Sequence, residues 1–289
     1  MLTAPEIGVV VPTRNSAATL DWTLLSLTSQ QRVRPTVVVV DSESSDATLS
    51  ICRRWRVPAL SSPPGNMYRA INDGLRGLTG CAWLTYLNSD DLACGDGYAR
   101  LIEEGQSHAC DVVYGNGDFV DERGALLFSQ ASFGPALVRQ QLASGTMPFV
   151  QPAAVFRREV FEQLHGFDER FTQIADYDFF ARAAAAGFRF GHTPGRAVAA
   201  FRIHDRQMST TRKAIVDGEK ALRRRECGRY RHVARMGLSA IWKVRNTVNY
   251  LGWMAQRAEG RLRRASIGRS PKSDAAVERR APGDVEMSP

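Results

Sequence analysis

Cysteine is scarce in this chain of 289 residues. It contains five, namely Cys52, Cys81, Cys94, Cys110 and Cys227. The number is odd, and none of them forms a C-x-x-C pair or has a His at zinc-finger spacing, which argues against a disulfide scaffold and a structural zinc site. The sequence therefore predicts a reduced, cytoplasmic protein.

Long apolar runs are also absent. No stretch reaches the roughly 18 uninterrupted apolar residues of a membrane-spanning helix. The first segment, "MLTAPEIGVVVPTRN", has no basic residue ahead of its short apolar run, and that run ends in Pro12 rather than at a small-residue cleavage site. The sequence therefore predicts neither secretion nor a membrane span.

Acidic and basic residues are unevenly distributed. Residues 1–201 contain 17 Lys and Arg against 21 Asp and Glu, a net charge of −4, whereas residues 202–289 contain 21 against 9, a net charge of +12. The overall charge of +8 therefore belongs to the C-terminal part. Nucleic-acid binding would need a basic, aromatic-bearing platform in the folded part, which is net acidic, so no nucleic-acid partner is expected.

Strand-like and helix-like segments alternate over the first 110 residues. "IGVVVP" (7–12) and "TVVVVD" (36–41) are continuous β-branched runs, typical of strands buried in a parallel sheet. A helix-like segment lies between them, with Ser16 or Thr19 as its candidate N-cap, and "AWLTYL" (82–87) reads as a third strand. This alternation predicts a doubly wound α/β fold whose ligands bind at the carboxyl ends of the strands.

Three polar clusters follow the predicted strands: "PTRNS" (12–16), "DSESSD" (41–46) and "NSDD" (88–91). Because the carboxyl ends of parallel strands meet at one edge of a sheet, we expect these clusters to lie together. The adjacent carboxylates of Asp90 and Asp91 repel each other and require either a solvated turn or a cation. The sequence thus predicts a site at this edge, and the residues alone leave both explanations open.

Six segments between residues 9 and 209 resemble, in chain order, the inverting family 2 glycosyltransferases. They are "VVVPTRNSAATLDWTLLSLTSQ", "VVVVDSESSDAT", "GNMYRAINDGLRGLTGCAWLTYLNSDD", "FVQPAAVFRREVFEQLHGFDERF", "ADYDFFARAAAAGF" and "FRIHDRQMS". The resemblance implies a GT-A nucleotide-sugar-binding fold, which is Rossmann-like with a mostly parallel central sheet and flanking helices. It also implies transfer of a sugar from a nucleotide-sugar, with a divalent metal (Mn²⁺ or Mg²⁺), to a bacterial surface glycan or a lipid-linked acceptor.

The resemblance also assigns residues to the donor. Pro12, Thr13 and Asn15 would border the nucleotide pocket, and Asp41 would contact the base. On the helix before the "AWLTYL" strand, Arg69 and Asn72 would face the same crevice, with Arg69 near a phosphate. A solvated helix face is the alternative explanation for Arg69.

The "NSDD" segment resembles a variant of the D-x-D motif in which Asn88 replaces the first Asp. By this likeness Asp90 is a direct metal ligand, and Asp91 orients the loop or accepts a hydrogen bond from the sugar. His204 belongs to an R-x-H-x-x-x-x-S pattern that ends at Ser209. In the family, a His at this place is similar to one that reaches the same metal or the diphosphate.

The "ADYD" segment (175–178) resembles E-D-Y-D, whose first Asp is the catalytic base. That base corresponds to Asp176, and Asp178 would be a supporting residue. Acidic residues also favour helix N-termini, which is the alternative explanation for both. Ala175 stands where Glu is usual. The departures at Asn88 and Ala175 leave open a catalytically impaired nucleotide-sugar-binding or scaffold protein.

A nucleotidyltransferase is a further alternative with a similar α/β core. Such an enzyme would use a glycine-rich phosphate loop with a basic residue after the first strand. The corresponding segment here, "PTRNSAATL", has no glycine. A glycosyltransferase is therefore the leading hypothesis.

The chain divides into three predicted parts. Residues 1–211 form the GT-A domain, residues 212–265 a helical, basic extension, and residues 266–289 a disordered tail. In the extension, Ile241 and Val244 begin a helical apolar spacing flanked by Arg and Lys, which suits peripheral contact with an anionic membrane at the inner face of the plasma membrane. The same helix suits packing against the catalytic domain or against a second subunit in a homodimer.

Overall fold

The computed structural model describes residues 7–204 and 213–226, together with residues 247 and 251. The strands are β1 (Ile7–Thr13), β2 (Pro35–Asp41), β3 (Ala59–Ser61), β4 (Trp83–Tyr86), β5 (Leu92–Ala93), β6 (Val112–Gly115), β7 (Gly117–Val120), β8 (Leu126–Gln130), β9 (Ala154–Arg157), β10 (Phe190–Thr193) and β11 (Ala199–Arg202). The helices are α1 (Leu20–Thr28), α2 (Thr48–Trp55), α3 (Met67–Gly77), α4 (Gly97–Ser107), α5 (Pro135–Ala143), α6 (Arg158–Gln163), α7 (Ala175–Ala185) and α8 (Lys213–Glu226). Gln151–Ala153 is a short 3₁₀ turn.

The larger sheet has the strand order β10-β6-β9-β4-β1-β2-β3. Only β9 runs antiparallel to its neighbours, β4 and β6; the other pairs of this sheet are parallel. The interior strand β1 is buried along its whole length, as its run of β-branched residues requires. The predicted α/β fold with a mostly parallel central sheet is confirmed.

Helices cover both faces of this sheet. Val9 and Val11 point into a core shared with α1, α2 and α4, whereas Val10 points into the opposite core with α3, α5 and α7. The two cores follow from the period-2 alternation of side chains along a strand. Helix α3 approaches the sheet closely because Gly74 has no side chain, and a Cβ atom there would lie 2.7 Å from Val10 Cγ2.

The smaller sheet has the order β5-β11-β7-β8. Strand β11 runs antiparallel to β5 and parallel to β7. This pairing joins segments about a hundred residues apart in the chain, and it brings the end of β11 beside the turn that precedes β5. The residues at these two places form part of the site described below.

Two local predictions need correction. Helix α1 begins at Leu20 without a side-chain cap from Thr19 or Ser16; instead, the Ser16 carbonyl accepts hydrogen bonds from the amides of Thr19 and Leu20 at 3.0 and 2.9 Å. The "AWLTYL" strand is β4, the fourth in the chain, because the short β3 precedes it. All three residues of β3 are exposed, so it lacks the apolar signal of a buried strand.

Helix α8 is the segment of the basic extension that the structure describes, apart from two single residues. Ile241, Val244 and the predicted tail at 266–289 lie outside the described residues, as do Ser209 and Cys227. In the described part of the chain, every helix is too short or too polar to cross a membrane.

Candidate active site

The loops after β1 and β2 are joined by hydrogen bonds at the sheet edge. The register of the two strands pairs Thr13 with Asp41, and Thr13 Oγ1 donates to Asp41 Oδ1 at 3.2 Å. The buried Asp41 carboxylate also accepts from the Ser44 amide at 2.9 Å and from Ser44 Oγ at 2.5 Å. Pro12 is buried inside β1. Asp41 is therefore held rigidly at the end of its strand.

Asn15 ties the first loop to the second. Its backbone has a φ of 51°, a left-handed conformation that Asn tolerates better than most residues. Its side-chain Oδ1 atom accepts a hydrogen bond from the Ser45 backbone amide at 2.8 Å. Its backbone amide donates a hydrogen bond to Ser44 Oγ at 2.8 Å. Ser16 Oγ lies 2.7 Å from Ser89 Oγ in the third loop. The three polar clusters thus meet at one edge, as the strand order predicted.

The third loop is a tight turn organised by Asp91. The Asp91 amide donates to the Asn88 carbonyl at 3.0 Å, and Asn88 Nδ2 donates to Asp91 Oδ2 at 3.3 Å. The other carboxylate oxygen, Oδ1, accepts from the Arg202 amide at 3.0 Å. Burial, together with the charge of Asp90, raises the pKa of Asp91 well above its ordinary value. Asp91 therefore orients the loop from within the protein.

Asp90 points toward the end of β11 and meets His204. Asp90 Oδ2 lies 2.8 Å from His204 Nε2, and both side chains keep partial contact with solvent. Arg202 Nε donates to the Asp90 carbonyl at 2.8 Å. Sequence reasoning included Arg202 only as part of a pattern, and its role in joining β11 to the turn became visible only in the structure.

The residues around Asp90 fit a divalent cation. Asn88 Oδ1 is buried and has no hydrogen-bond partner in the described part of the chain. A carboxylate, an amide oxygen and an imidazole suit Mn²⁺, which keeps water or substrate oxygens as further ligands. No three His, Cys, Asp or Glu side chains among the described residues gather closely enough to hold a metal by themselves. Such a cation would therefore depend on substrate oxygens.

Asp176 lies in the first turn of α7 and is half-buried. Its Oδ1 atom accepts from the Tyr68 hydroxyl at 3.2 Å and from the Tyr177 amide at 2.8 Å. Burial raises the pKa of this carboxyl above its ordinary value. A carboxylate of raised pKa is a stronger proton acceptor, which suits a general base.

Two buried tyrosines connect Asp176 to the turn at residues 88–91. The rings of Tyr68 and Tyr86 meet edge to face with centroids 6.4 Å apart. Tyr86 ends β4, two residues before Asn88, and Gln151 Nε2 donates to its carbonyl at 2.9 Å. Tyr68 was not predicted as a site residue, because its contact with Asp176 spans 108 residues of sequence.

Arg69 and Asn72 bind the loop that precedes Asp176. The side chain of Asn72 is buried. Its Oδ1 atom accepts a hydrogen bond from the Phe167 backbone amide at 2.9 Å, and its Nδ2 atom donates to the Phe167 carbonyl at 2.9 Å. Asn72 Nδ2 also donates to Glu169 Oε1 at 3.0 Å, and Arg69 Nε lies 3.3 Å from Glu169 Oε2. Both residues thus connect α3 to this loop, and their contacts with a donor stay predictions.

The remaining residues of the "ADYD" segment support the helix. Asp178 is buried, and its carboxylate accepts from Arg182 Nε at 2.6 Å and from Arg223 Nε on α8. Ala175, where the family pattern has Glu, is fully buried in the core between α3, α5 and α7. Asp176 is therefore the acidic residue of this turn that faces the site.

Comparison with known proteins identifies the class. Residues 8–165 match the family model described as glycosyl transferase family 2. The succinoglycan biosynthesis protein ExoO of Rhizobium meliloti (strain 1021) is 31% identical over 237 residues, which cover 74% of this chain and 64% of that protein. This chain therefore belongs to glycosyl transferase family 2, and it spans less than two thirds of the length of this curated relative.

Solved structures share the fold. The mannosyltransferase PcManGT from Pyrobaculum calidifontis, in complex with GDP-Man and Mn²⁺, has a TM-score of 0.60 at 20% identity, covering 94% of this chain and 77% of that one. S. aureus TarS 1–349 in complex with UDP-GlcNAc has a TM-score of 0.58 at 21% identity, covering 71% and 61%. The predicted GT-A fold is confirmed.

Proposed function

We propose that this protein transfers a sugar from a nucleotide-sugar to a glycan or lipid-linked acceptor, with inversion at the anomeric carbon. The observation that carries the proposal is the meeting of the three polar loops at one sheet edge, with Asp176 linked to the same edge through Tyr68 and Tyr86. Family membership and the relative named for succinoglycan biosynthesis support a surface polysaccharide as the product.

Each residue has a definite part in this proposal. Asp41 and Thr13 hold the nucleotide base, and Asn15 and Pro12 shape the pocket around it. Asp90 and His204 hold a divalent cation with the help of Asn88, while Asp91 keeps the turn in place. When bound, the cation offsets the negative charge that develops on the leaving diphosphate.

Asp176 acts as the base in a single displacement. Its carboxylate takes the proton of the acceptor hydroxyl as that oxygen forms a bond to the anomeric carbon, and the bond from this carbon to the diphosphate breaks. Attack from the face opposite the leaving group inverts the configuration. Tyr68 donates a hydrogen bond that orients the carboxylate during this step.

The test is the substitution Asp176→Asn. Removing a general base should lower the rate of transfer by about 10²- to 10⁴-fold while donor binding persists. Donor binding is measured by thermal shift with UDP-, GDP- and dTDP-sugars, each with and without Mn²⁺. Transfer and donor hydrolysis are followed with the donor that binds.

The control is Asp73→Asn, which removes an exposed carboxylate from α3. It should leave transfer unchanged. Because burial raises the pKa of Asp176, its charge costs stability once the pH rises above the ordinary carboxyl range, so Asp176→Asn should unfold no more easily than the original protein at neutral pH. Retained transfer in Asp176→Asn would disprove the assignment of the base.

The positive charge of the C-terminal part supports attachment to a membrane. Residues 202–289 have a net charge of +12, which favours attachment to the anionic inner face of a membrane, where a lipid-linked acceptor would be available.

A further inference from the structure

Helix α8 begins the basic extension but packs against the catalytic domain. Val216, Glu219, Lys220 and Arg223 recur at the spacing of one helical face. Val216 packs against the core that contains α3, α5 and α7. Arg223 forms an ion pair with the buried Asp178 of α7. The face of α8 that carries these residues is therefore directed at the helix that bears Asp176.

Glu219 joins α8 to the segment that precedes α7. Its Oε1 atom accepts from the Thr172 amide at 2.7 Å and from Thr172 Oγ1 at 2.8 Å. Its Oε2 atom accepts from the amides of Gln173 and Ile174 at 2.9 and 3.2 Å. One carboxylate thus binds three consecutive backbone amides just before α7.

This contact fixes the backbone that leads into α7. The N-cap residue of α7 is Ile174, whose apolar side chain accepts no hydrogen bond from the first turn. The Glu219 carboxylate binds the amide of Ile174 and the two amides before it, and a negative charge at this end of a helix is stabilised by the helix dipole. Glu219 therefore holds the N-cap residue and the two residues before it in place from a neighbouring helix.

The position of Ile174 controls the position of Asp176. Only the small, buried Ala175 separates the two residues. A shift of the amides at 172–174 would therefore move the Asp176 carboxylate relative to Tyr68. Lys220 lies on the same face of α8, close enough for its positive charge to act against the pKa rise that burial causes in Asp176.

We infer that α8 is part of the active site and that Glu219 is a positioning residue, which holds the start of α7 so that Asp176 faces the acceptor hydroxyl. The inference rests on the proposed role of Asp176 as the base. It also assigns the beginning of the basic extension to catalysis rather than to membrane contact.

The test compares Glu219→Gln with Asp217→Asn in the full chain. Each substitution removes one negative charge from α8, but Asp217 is exposed and forms no hydrogen bond or ion pair to another described residue. Glu219→Gln should lower kcat roughly 10- to 100-fold, because small displacements of a catalytic group have large effects, with the donor KM changed by less than about twofold. Asp217→Asn should retain the original kcat and KM.

Amide hydrogen exchange supplies a readout that does not need activity. The amides of residues 172–174 should exchange faster in Glu219→Gln than in the original protein and in Asp217→Asn. Unchanged exchange at these amides would show that Glu219 does not hold them and would overturn the inference. Faster exchange with an unchanged kcat would overturn the positioning role.

Failure of the glycosyltransferase proposal can be distinguished from failure of the inference about Glu219. If the original protein neither transfers nor hydrolyses any UDP-, GDP- or dTDP-sugar with Mn²⁺, the glycosyltransferase proposal falls, and the positioning role falls with it. The exchange rates of residues 172–174 would still report whether Glu219 holds the backbone that leads into α7.

Discussion

At the scale of single residues, Asp176 is surrounded by groups from several elements. Tyr68 on α3 and the Tyr177 amide on α7 donate hydrogen bonds to it, Tyr86 on β4 lies nearby, and Lys220 approaches from α8. Burial raises its pKa, and the hydrogen bonds and the lysine counteract the rise. The balance of these contributions sets the pH at which the Asp176 carboxyl loses its proton.

Substituting Tyr68→Phe should disturb this balance in a known direction. The hydroxyl stabilises the charged carboxylate, so its loss should raise the pKa of Asp176 further. The acidic limb of the pH profile of kcat/KM should therefore move to higher pH. Lys220→Met should move it in the same direction. A shift to lower pH in either variant would contradict the proposed environment of the base.

The proposed metal-binding role of Asp90 predicts a separate result. Asp90→Asn should weaken Mn²⁺ binding by about 10- to 100-fold or more. Loss of a residue that only hydrogen-bonds a metal ligand already has an effect of this size, and Asp90 is itself the proposed ligand. Isothermal titration of Mn²⁺ in the presence of UDP or GDP measures this change. Asp96→Asn, which removes a half-buried acidic residue paired with Arg100 and Arg196, is the control. Equal Mn²⁺ affinity in both variants would argue against the site.

At the scale of elements, the seating of α3 on the sheet depends on Gly74. A Cβ atom there would lie 2.7 and 2.9 Å from the methyl groups of Val10 and 2.9 Å from Val40. Gly77 on the same helix has open space around it. The two glycines therefore form a matched pair in which only one is required by packing.

We expect Gly74→Ala to destabilise the protein by about 1–3 kcal/mol, because overpacking forces α3 away from β1 and β2. Gly77→Ala should leave the free energy of unfolding unchanged or raise it by up to about 1 kcal/mol, because alanine favours helix. Urea unfolding followed by circular dichroism measures both. A destabilisation of equal size in the two variants would show that helix packing is not the cause.

The elements also show how far the sequence can be interpreted. The β-branched runs at 7–12 and 36–41 predicted β1 and β2 because a buried parallel strand needs continuous apolar residues. In the smaller sheet, the pairing of β11 with β5 and β7 was not predicted, since these strands are short and pair across long stretches of chain. The contacts of Asn72 with Phe167 and of Glu219 with residues 172–174 were missed for the same reason, because no local pattern records a long-range hydrogen bond.

At the scale of the whole molecule, the separation of charge predicts where the protein attaches. Residues 1–201 carry a net charge of −4 and residues 202–289 a net charge of +12. Such a chain should orient its C-terminal part toward an anionic surface. The interaction should weaken as salt shortens the range of the charges.

Vesicle sedimentation tests this expectation. The full chain should sediment with vesicles that contain phosphatidylserine at low ionic strength, and about 1 M salt should release it, because the Debye length then falls to about 3 Å. Vesicles of pure phosphatidylcholine are the control. Equal sedimentation with both kinds of vesicle would indicate apolar insertion or non-specific adsorption instead of electrostatic attachment.

The approach of Lys220 to Asp176 has a practical consequence for chemical labelling. Residues 1–201 contain no lysine, and Lys213 and Lys220 are the lysines of the described part of the chain. An amine-directed probe will therefore modify the extension while leaving the side chains of the larger sheet untouched. Protection of Lys220 by a bound sugar donor or acceptor would show directly that substrate occupies the space next to Asp176.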